Sequence, residues 1–449
     1  MAREPVSDAT LAETMDDYSL RRVPRTAAQS TWDIALVRMG VTVSISDLLF
    51  GYTIGLYFGF WTAVVIALSY SAIIACISML MGYIGLREGT SFALSSRFAF
   101  GREGSRLPSL VMAIIIAGFY GYILGITVDV FPNHTNPVVV AAYSIVLGII
   151  FLAISALGFR TGLKWVGRVG VPLMILLVLV ADYAAIGHAG GFAAITAATP
   201  KLAGKMLLPT IIGLGVSKWL AGAIITPDLM RFGKNGRAVI TTSLAEFIFG
   251  NFGFNLLGLI LGLGLGISDL GKAFGLLGIT VLATVAFLLQ SVTVEMNELY
   301  AASLAVSNAL GINRVTTNIV VGIIGIFIGY YGVTQGIIAS FLTFIGYVGY
   351  ALPAIAGVMI ADYFVVRRMR YPEGLEGLAP VNWRAIAAFV ISVAINLYLG
   401  LALKDVFWHS LPLIPFVLYI VLSLPQTRQS WSGVQREVVT ASTAMTSKQ

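Results

Sequence analysis

The sequence predicts an all-α integral membrane protein of about twelve spanning helices, built as two inverted five-helix repeats with two helices appended. Three observations carry that prediction. The 449 residues are 58% hydrophobic and only 11% charged, with mean hydropathy +0.90, whereas soluble domains run near 25% charged. The apolar residues fall into runs of the ~20 residues needed to cross a bilayer. Two of those runs, the first and the sixth, are interrupted at corresponding places, the usual mark of a repeat whose copies meet at a solute site.

Taken in order, segments 1 to 12 lie near 32–54, 57–86, 107–130, 137–158, 163–187, 206–229, 237–265, 276–304, 315–332, 335–363, 383–403 and 409–424. Segments 1–5 (32–187) and 6–10 (206–363) form the repeats, and 383–424 holds the two extra helices. Five helices per copy is an odd number, so the second copy enters the membrane in the opposite direction. Segment 1, ALVRMGVTVSISDLLFGYTIG, is broken by Gly40, Ser44, Ser46, Asp47 and Gly51; segment 6 is expected to break where Gly213, Gly215, Ser217, Lys218 and Gly222 interrupt it. Both carry Gly-Val-hydroxyl, at Gly40-Val41-Thr42 and Gly215-Val216-Ser217.

Lys and Arg set the expected orientation in the plasma or inner membrane. With the N-terminus inside, cytoplasmic loops hold 15 of them: Arg87, Arg97, Arg102, Arg106, Arg160, Lys164, Arg168, Arg231, Lys234, Arg237, Arg314, Arg367, Arg368, Arg370 and Arg384. The external loops hold 4: Lys201, Lys205, Lys272 and Lys404. Both termini are therefore expected in the cytoplasm, as tails 1–31 and 425–449. The first lacks the apolar core of a cleavable signal peptide; the second is polar and Ser/Thr-rich, with the composition of a disordered end. The same topology places His134, His188 and His409 at the outer face. The cytoplasmic cations are spread over five separate loops and form no single cluster, which excludes a nucleic-acid surface, and the lone Cys76 excludes an intrachain disulfide or a cysteine metal cluster.

Charge at mid-membrane depth is costly and faces a wet or paired interior. Lys218 lies there beside Trp219, as do Asp47 and Glu295. Lys218 either pairs with Asp47 or Glu295, or contacts the solute directly; alternatively Glu295 or Asp47, or less centrally Glu246, holds a proton. In segment 8, Gln290, Thr293, Asn297 and Tyr300 share one helical face. In segment 3, Phe119 lies among small and aromatic residues, where a ring can wall a flat ligand.

The blocks GYIGLREGTSFALSSRFAFGREGSRLPSL, TPDLMRFGKNGR, NELYAASL and IADYFVVRRMRY followed by VNW resemble those of the nucleobase:cation symporter family, which includes cytosine permeases and purine, hydantoin and allantoin carriers. The resemblance spans roughly residues 30–424. It implies a leucine-transporter type fold with solute bound between segments 1, 3, 6 and 8. By the same resemblance, Phe119 and Trp219 are the stacking rings and Gln290 contacts solute and ion. Sodium would be held by carbonyls at Gly40, Val43 and Gln290 and by the hydroxyl of Thr293, with Val294 standing where a second hydroxyl is expected. Further departures are Ile116 for an amide, Ala221 for a hydroxyl and Lys218 for a small residue; they leave cytosine's edge without familiar partners.

The expected function is gradient-driven import of a nucleobase or related planar heterocycle by alternating access. Ser44, Ser217, Lys218 and Glu295 would add polar contacts to Phe119, Trp219 and Gln290. The coupling cation is sodium, as the family implies, or a proton carried by Lys218, Asp47 or Glu295 in its place. The chain needs no other cofactor than a bound sodium ion, and its partners are the solute, the cation and the bilayer. An enzyme would need a nucleophile or metal set that the sequence lacks; a channel would need a continuous polar path; a non-transporting binder would show no flux.

Overall fold

The chain is seen in a computed structural model, which describes residues 21–157, 160–267, 269–310 and 314–424. Side chains within 156–168 and at several positions from 293 to 315, Thr293 among them, lie outside that description, as do residues 1–20 and 425–449.

The described residues are almost entirely helical. Among the described residues nine helices are long and apolar enough to span a bilayer: Phe60–Glu88, Arg106–Asp129, Pro137–Ser155, Val169–His188, Leu208–Met230, Gly236–Leu265, Thr316–Thr334, Ile337–Val366 and Trp383–Ala402. They match segments 2–7 and 9–11. Segment 8 is the helix Thr280–Leu310, and segment 12 is the shorter apolar helix Leu413–Leu424.

Segment 1 is broken as expected. Thr31–Thr42 and Ile45–Tyr57 meet at a 54° bend. Ser44 is extended (φ −123°, ψ 153°) and caps the second half: its hydroxyl accepts from the Asp47 N–H at 3.2 Å and donates to Asp47 Oδ2 at 2.9 Å. A capping serine satisfies a donor that the new helix leaves orphaned, which makes the interruption cheap.

Segment 6 departs from expectation. Leu208–Ile224 is one continuous helix, and the interruption falls at Ile225–Thr226, just ahead of Pro227. Pro227 has no backbone N–H to continue the i→i−4 ladder, so the helix cannot run through it unbroken. The glycines in the middle serve packing instead of unwinding. A Cβ at Gly215 would lie 2.5 Å from the Tyr70 ring, and one at Gly213 would lie 2.5 Å from the Val406 carbonyl oxygen. Small residues let membrane helices approach closely without breaking them.

The packing follows the inverted repeat. Segment 1 packs mainly on segment 7, and segment 6 on segment 2; segment 3 lies against segment 8 and segment 4 against segment 9. Exchanging segments 1–5 with 6–10 maps this set of contacts onto itself. Glycine pairs make a close seam between segments 3 and 9. Gly121 and Gly125 of segment 3 meet Gly325 and Gly329 of segment 9, where a Cβ at Gly125 would lie 3.0 Å from the Gly329 oxygen.

Segment 7 is widened midway. Ala245–Phe252 is a π-helix between Gly236–Leu265's two α-helical stretches. Bonds from i to i+5 bring Glu246 and Asn251 onto one side; in an α-helix it is residues three or four apart that share a face. Both side chains are thereby presented to segment 1.

Candidate functional site: a buried polar centre at the break of segment 1

Asp47 is the hub. It is 0% exposed, and its Oδ1 accepts from Lys218 Nζ, Trp219 Nε1 (2.8 Å), Asn251 Nδ2 (2.6 Å) and Asn255 Nδ2 (3.2 Å). Its Oδ2 accepts from Ser44, whose hydroxyl lies 2.9 Å from that of Ser46. Ser71 donates to Asn251 Oδ1 at 2.7 Å and fixes that amide's orientation. The Lys218 ammonium, 4% exposed, stands 4.7 Å from the Phe50 ring centroid and 5.9 Å from that of Tyr70, so ring faces supplement its single carboxylate. A buried charge pair holds only when further hydrogen bonds satisfy its atoms, and here segments 1, 2, 6 and 7 all contribute them.

Gln290 adjoins the break. Its Nε2 donates to the Val43 carbonyl at 3.1 Å, while its buried Oε1 has no hydrogen-bond partner among the described residues. That leaves a desolvated acceptor at the break, the kind of atom that selects a ligand N–H.

The other expected residues lie elsewhere. Phe119 packs edge-on against Phe344 (5.0 Å, 81°) and Trp219 edge-on against Phe247 (6.0 Å, 78°); among the described residues these two rings do not touch each other. The hydrogen bond between Thr127 and Ser291 sets the antiparallel register of segments 3 and 8. It places Gln290 beside the last turn of segment 3 and Phe119 about two turns away along that helix. Ser217 turns from the centre and donates to Ser410 at 2.8 Å, because its side of segment 6 is covered by the short helix Val406–His409. Glu295 joins neither Asp47 nor Lys218: it is 0% exposed on segment 8, with both oxygens unpartnered among the described residues. Glu246 pairs with Arg38 instead, Nε to Oε2 at 2.8 Å and Nη2 to Oε1 at 2.7 Å. His409 is buried within the bundle, 1% exposed against Gly349 and Tyr350, and is not a surface residue.

Of the sodium ligands expected by resemblance, the Val43 carbonyl accepts from Gln290, the Val294 side chain carries no oxygen, and the Thr293 side chain lies outside the described residues. A hard cation gathers several oxygens.

Arg38, Ser71, Asn251 and Asn255 escaped the sequence reading. Three of them carried a usable signal: Asn251 and Asn255 are amides one helical turn apart in an apolar span, and Arg38 is a charge inside segment 1.

At the end of the bundle where segments 3 and 7 finish, His134 Nε2 lies 3.2 Å from both Asp269 oxygens and Lys272 Nζ lies 3.1 Å from Oδ2. The bond to Asp269 raises the His134 pKa above its ordinary value. Burial pushes the Asp269 carboxyl up, but the bonds from His134 and Lys272 outweigh it and hold the group well below the carboxylate range.

Comparison with known proteins places this architecture. The family of permeases for cytosine/purines, uracil, thiamine and allantoin matches residues 24–412. The cytosine permease of Escherichia coli K12 is 26% identical over 388 residues, covering 84% of this chain and 88% of the permease. The purine-uracil permease NCS1 of Arabidopsis thaliana is 24% identical over 438 residues, covering 85% of this chain and 70% of the relative. The inward-facing conformation of Mhp1 superposes with TM-score 0.77 at 17% identity, covering 96% of both chains. Mhp1 closed with bromovinylhydantoin bound gives TM-score 0.72 at 17% identity, over 92% of this chain and 96% of that one. With its helix count, its broken first segment and its match across nearly the whole apolar region, this chain belongs to the cytosine/purine, uracil, thiamine and allantoin permease family, and it is a membrane transporter and not an enzyme.

Proposed function

We propose that the chain is a secondary-active importer of a planar nitrogen heterocycle, working by alternating access. The substrate is a nucleobase or a near relative such as a hydantoin, allantoin or pyrimidine vitamin precursor. One observation carries the reading: at the break of segment 1, a fully buried Asp47 collects donors from two other segments, while Gln290 at the same break keeps an acceptor that is unpartnered among the described residues. Gln290 Oε1 would take a ring N–H. Trp219, half-buried with its N–H tied to Asp47, presents a ring face of fixed orientation, with Phe119 as the second wall. The substrates of the family and of the relatives described above support this class.

For coupling, the residues favour a proton over sodium. Lys218 already places a cation on Asp47, and the Val294 side chain offers no oxygen. Protonating Asp47 or neutralising Lys218 would end the attraction that ties segment 6 to segment 1, which is the change an alternating carrier requires. The orientation proposed is that of the loop charges, with both termini cytoplasmic and the His134–Asp269 end outside. The repeats run 32–187 and 206–363, a division that the symmetric packing supports.

The test is uptake of labelled cytosine, uracil and allantoin into proteoliposomes carrying the full chain, under sodium or proton gradients. We expect saturable uptake of at least one, driven by an inward proton gradient and unchanged when sodium is removed. Trp219→Ala should abolish it. Sodium-dependent uptake would end the proton reading, and absence of gradient-driven uptake for every such heterocycle would end the substrate class.

A further inference from the structure

A second cavity stands apart from the polar centre, at the end of the bundle where segments 1, 3 and 10 meet. Its volume is about 500 Å³, within the range of small-molecule sites. Tyr57, Val333, Ile337 and Ile338 give it apolar walls, and Asp129, His134 and Asp269 line it from one side. The charged residues differ in how they are employed. Asp269 is committed to His134 and Lys272. Asp129 is only 6% exposed, yet its Oδ2 has no hydrogen-bond partner among the described residues. An unpartnered buried carboxylate oxygen costs free energy unless a ligand supplies the donor.

We propose that this cavity is a second binding site, for a planar ring bearing a cationic or amidine-type N–H group, with Asp129 as the acceptor. The apolar walls bury the ring and Tyr57 offers it an aromatic face. His134 and Lys272 are engaged with Asp269, so the Asp129 oxygen left unpartnered among the described residues is the acceptor open to the ligand's N–H group. The site stands independently of the reading of the polar centre, which shares none of these side chains.

The probe is benzamidine, protonated at neutral pH, against its neutral isostere benzamide, with the full-length purified chain. Saturating benzamidine should raise the unfolding midpoint by about 2–4 °C, and benzamide should not. Asp129→Asn should remove the shift, and Trp219→Ala, at the polar centre, should preserve it. Because Asp129→Asn alters a buried group and can fail to fold, Ile338→Trp provides a second variant that fills the cavity without touching charge; it too should remove the shift. Equal shifts from the two probes, a shift that survives Ile338→Trp, or a shift lost in Trp219→Ala would each overturn the proposal. The last outcome would put the probe at the polar centre and leave the transport reading untouched.

Discussion

At the scale of single residues, Asp47 and Lys218 are not equal partners. Asp47 keeps Trp219, Asn251, Asn255 and Ser44 as donors if the ammonium is removed. Lys218 has ring faces but a single carboxylate. Stranding a buried charge costs about 3–5 kcal/mol, so Asp47→Asn should destabilise by about that much. Lys218→Met should cost clearly less, since the carboxylate stays hydrogen-bonded. Thermal unfolding of the two variants decides; equal losses, or the reverse order, would mean that the amides and indole contribute little. The sequence alone reached Asp47, Lys218 and Trp219, because charge and indole within an apolar run are conspicuous. It did not reach the choice between Asp47 and Glu295 as the lysine's partner. That choice depends on helix rotation about the axis, and an apolar run with few polar marks encodes rotation weakly.

At the scale of elements, the same ambiguity attaches to glycine. A glycine lowers helix propensity, and it also lets a neighbouring backbone come close; composition does not separate the two uses. In segment 1 the break was legible because Ser44 and Asp47 form a cap. In segment 6 no such cap accompanies Gly213, Gly215 and Gly222, and the helix runs on to Ile224. The consequence is measurable. A Cβ at Gly55 would lie 2.9 Å from the Leu259 carbonyl oxygen, whereas at Gly253 it would meet nothing within 4 Å. Gly55→Ala should therefore cost about 1–3 kcal/mol by overpacking a backbone seam. Gly253→Ala, helical and unobstructed, should be neutral or gain about 0.4–1 kcal/mol. Chemical or thermal unfolding would show it, and similar values for the two would mean that the seam between segments 1 and 7 yields easily.

At the scale of the whole molecule, the two-fold packing has an asymmetric fastening. On the terminal side of the break, Arg38 binds Glu246 and also donates to Thr226 (3.0 Å) and the Gly222 carbonyl (3.2 Å). Ser78 joins the same cluster through Thr226 and Ser243, so segments 1, 2, 6 and 7 are tied at one level. An alternating carrier must part such helices on one side at a time, and here that means withdrawing a buried ion pair. Arg38→Met should destabilise by about 3–5 kcal/mol because Glu246 is left charged and unpaired, and adding Glu246→Met should recover most of the loss. The double variant keeps the bulk but not the fastening, which separates sealing from stability. In a background with Cys76→Ser, a cysteine introduced by Ser78→Cys should be protected from a membrane-permeant thiol reagent, since Ser78 is fully buried. It should label several-fold faster in the double methionine variant, where only apolar contacts hold the four segments together. An unchanged labelling rate in a folded double variant would mean that packing, and not the Arg38–Glu246 pair, keeps this end of the bundle shut.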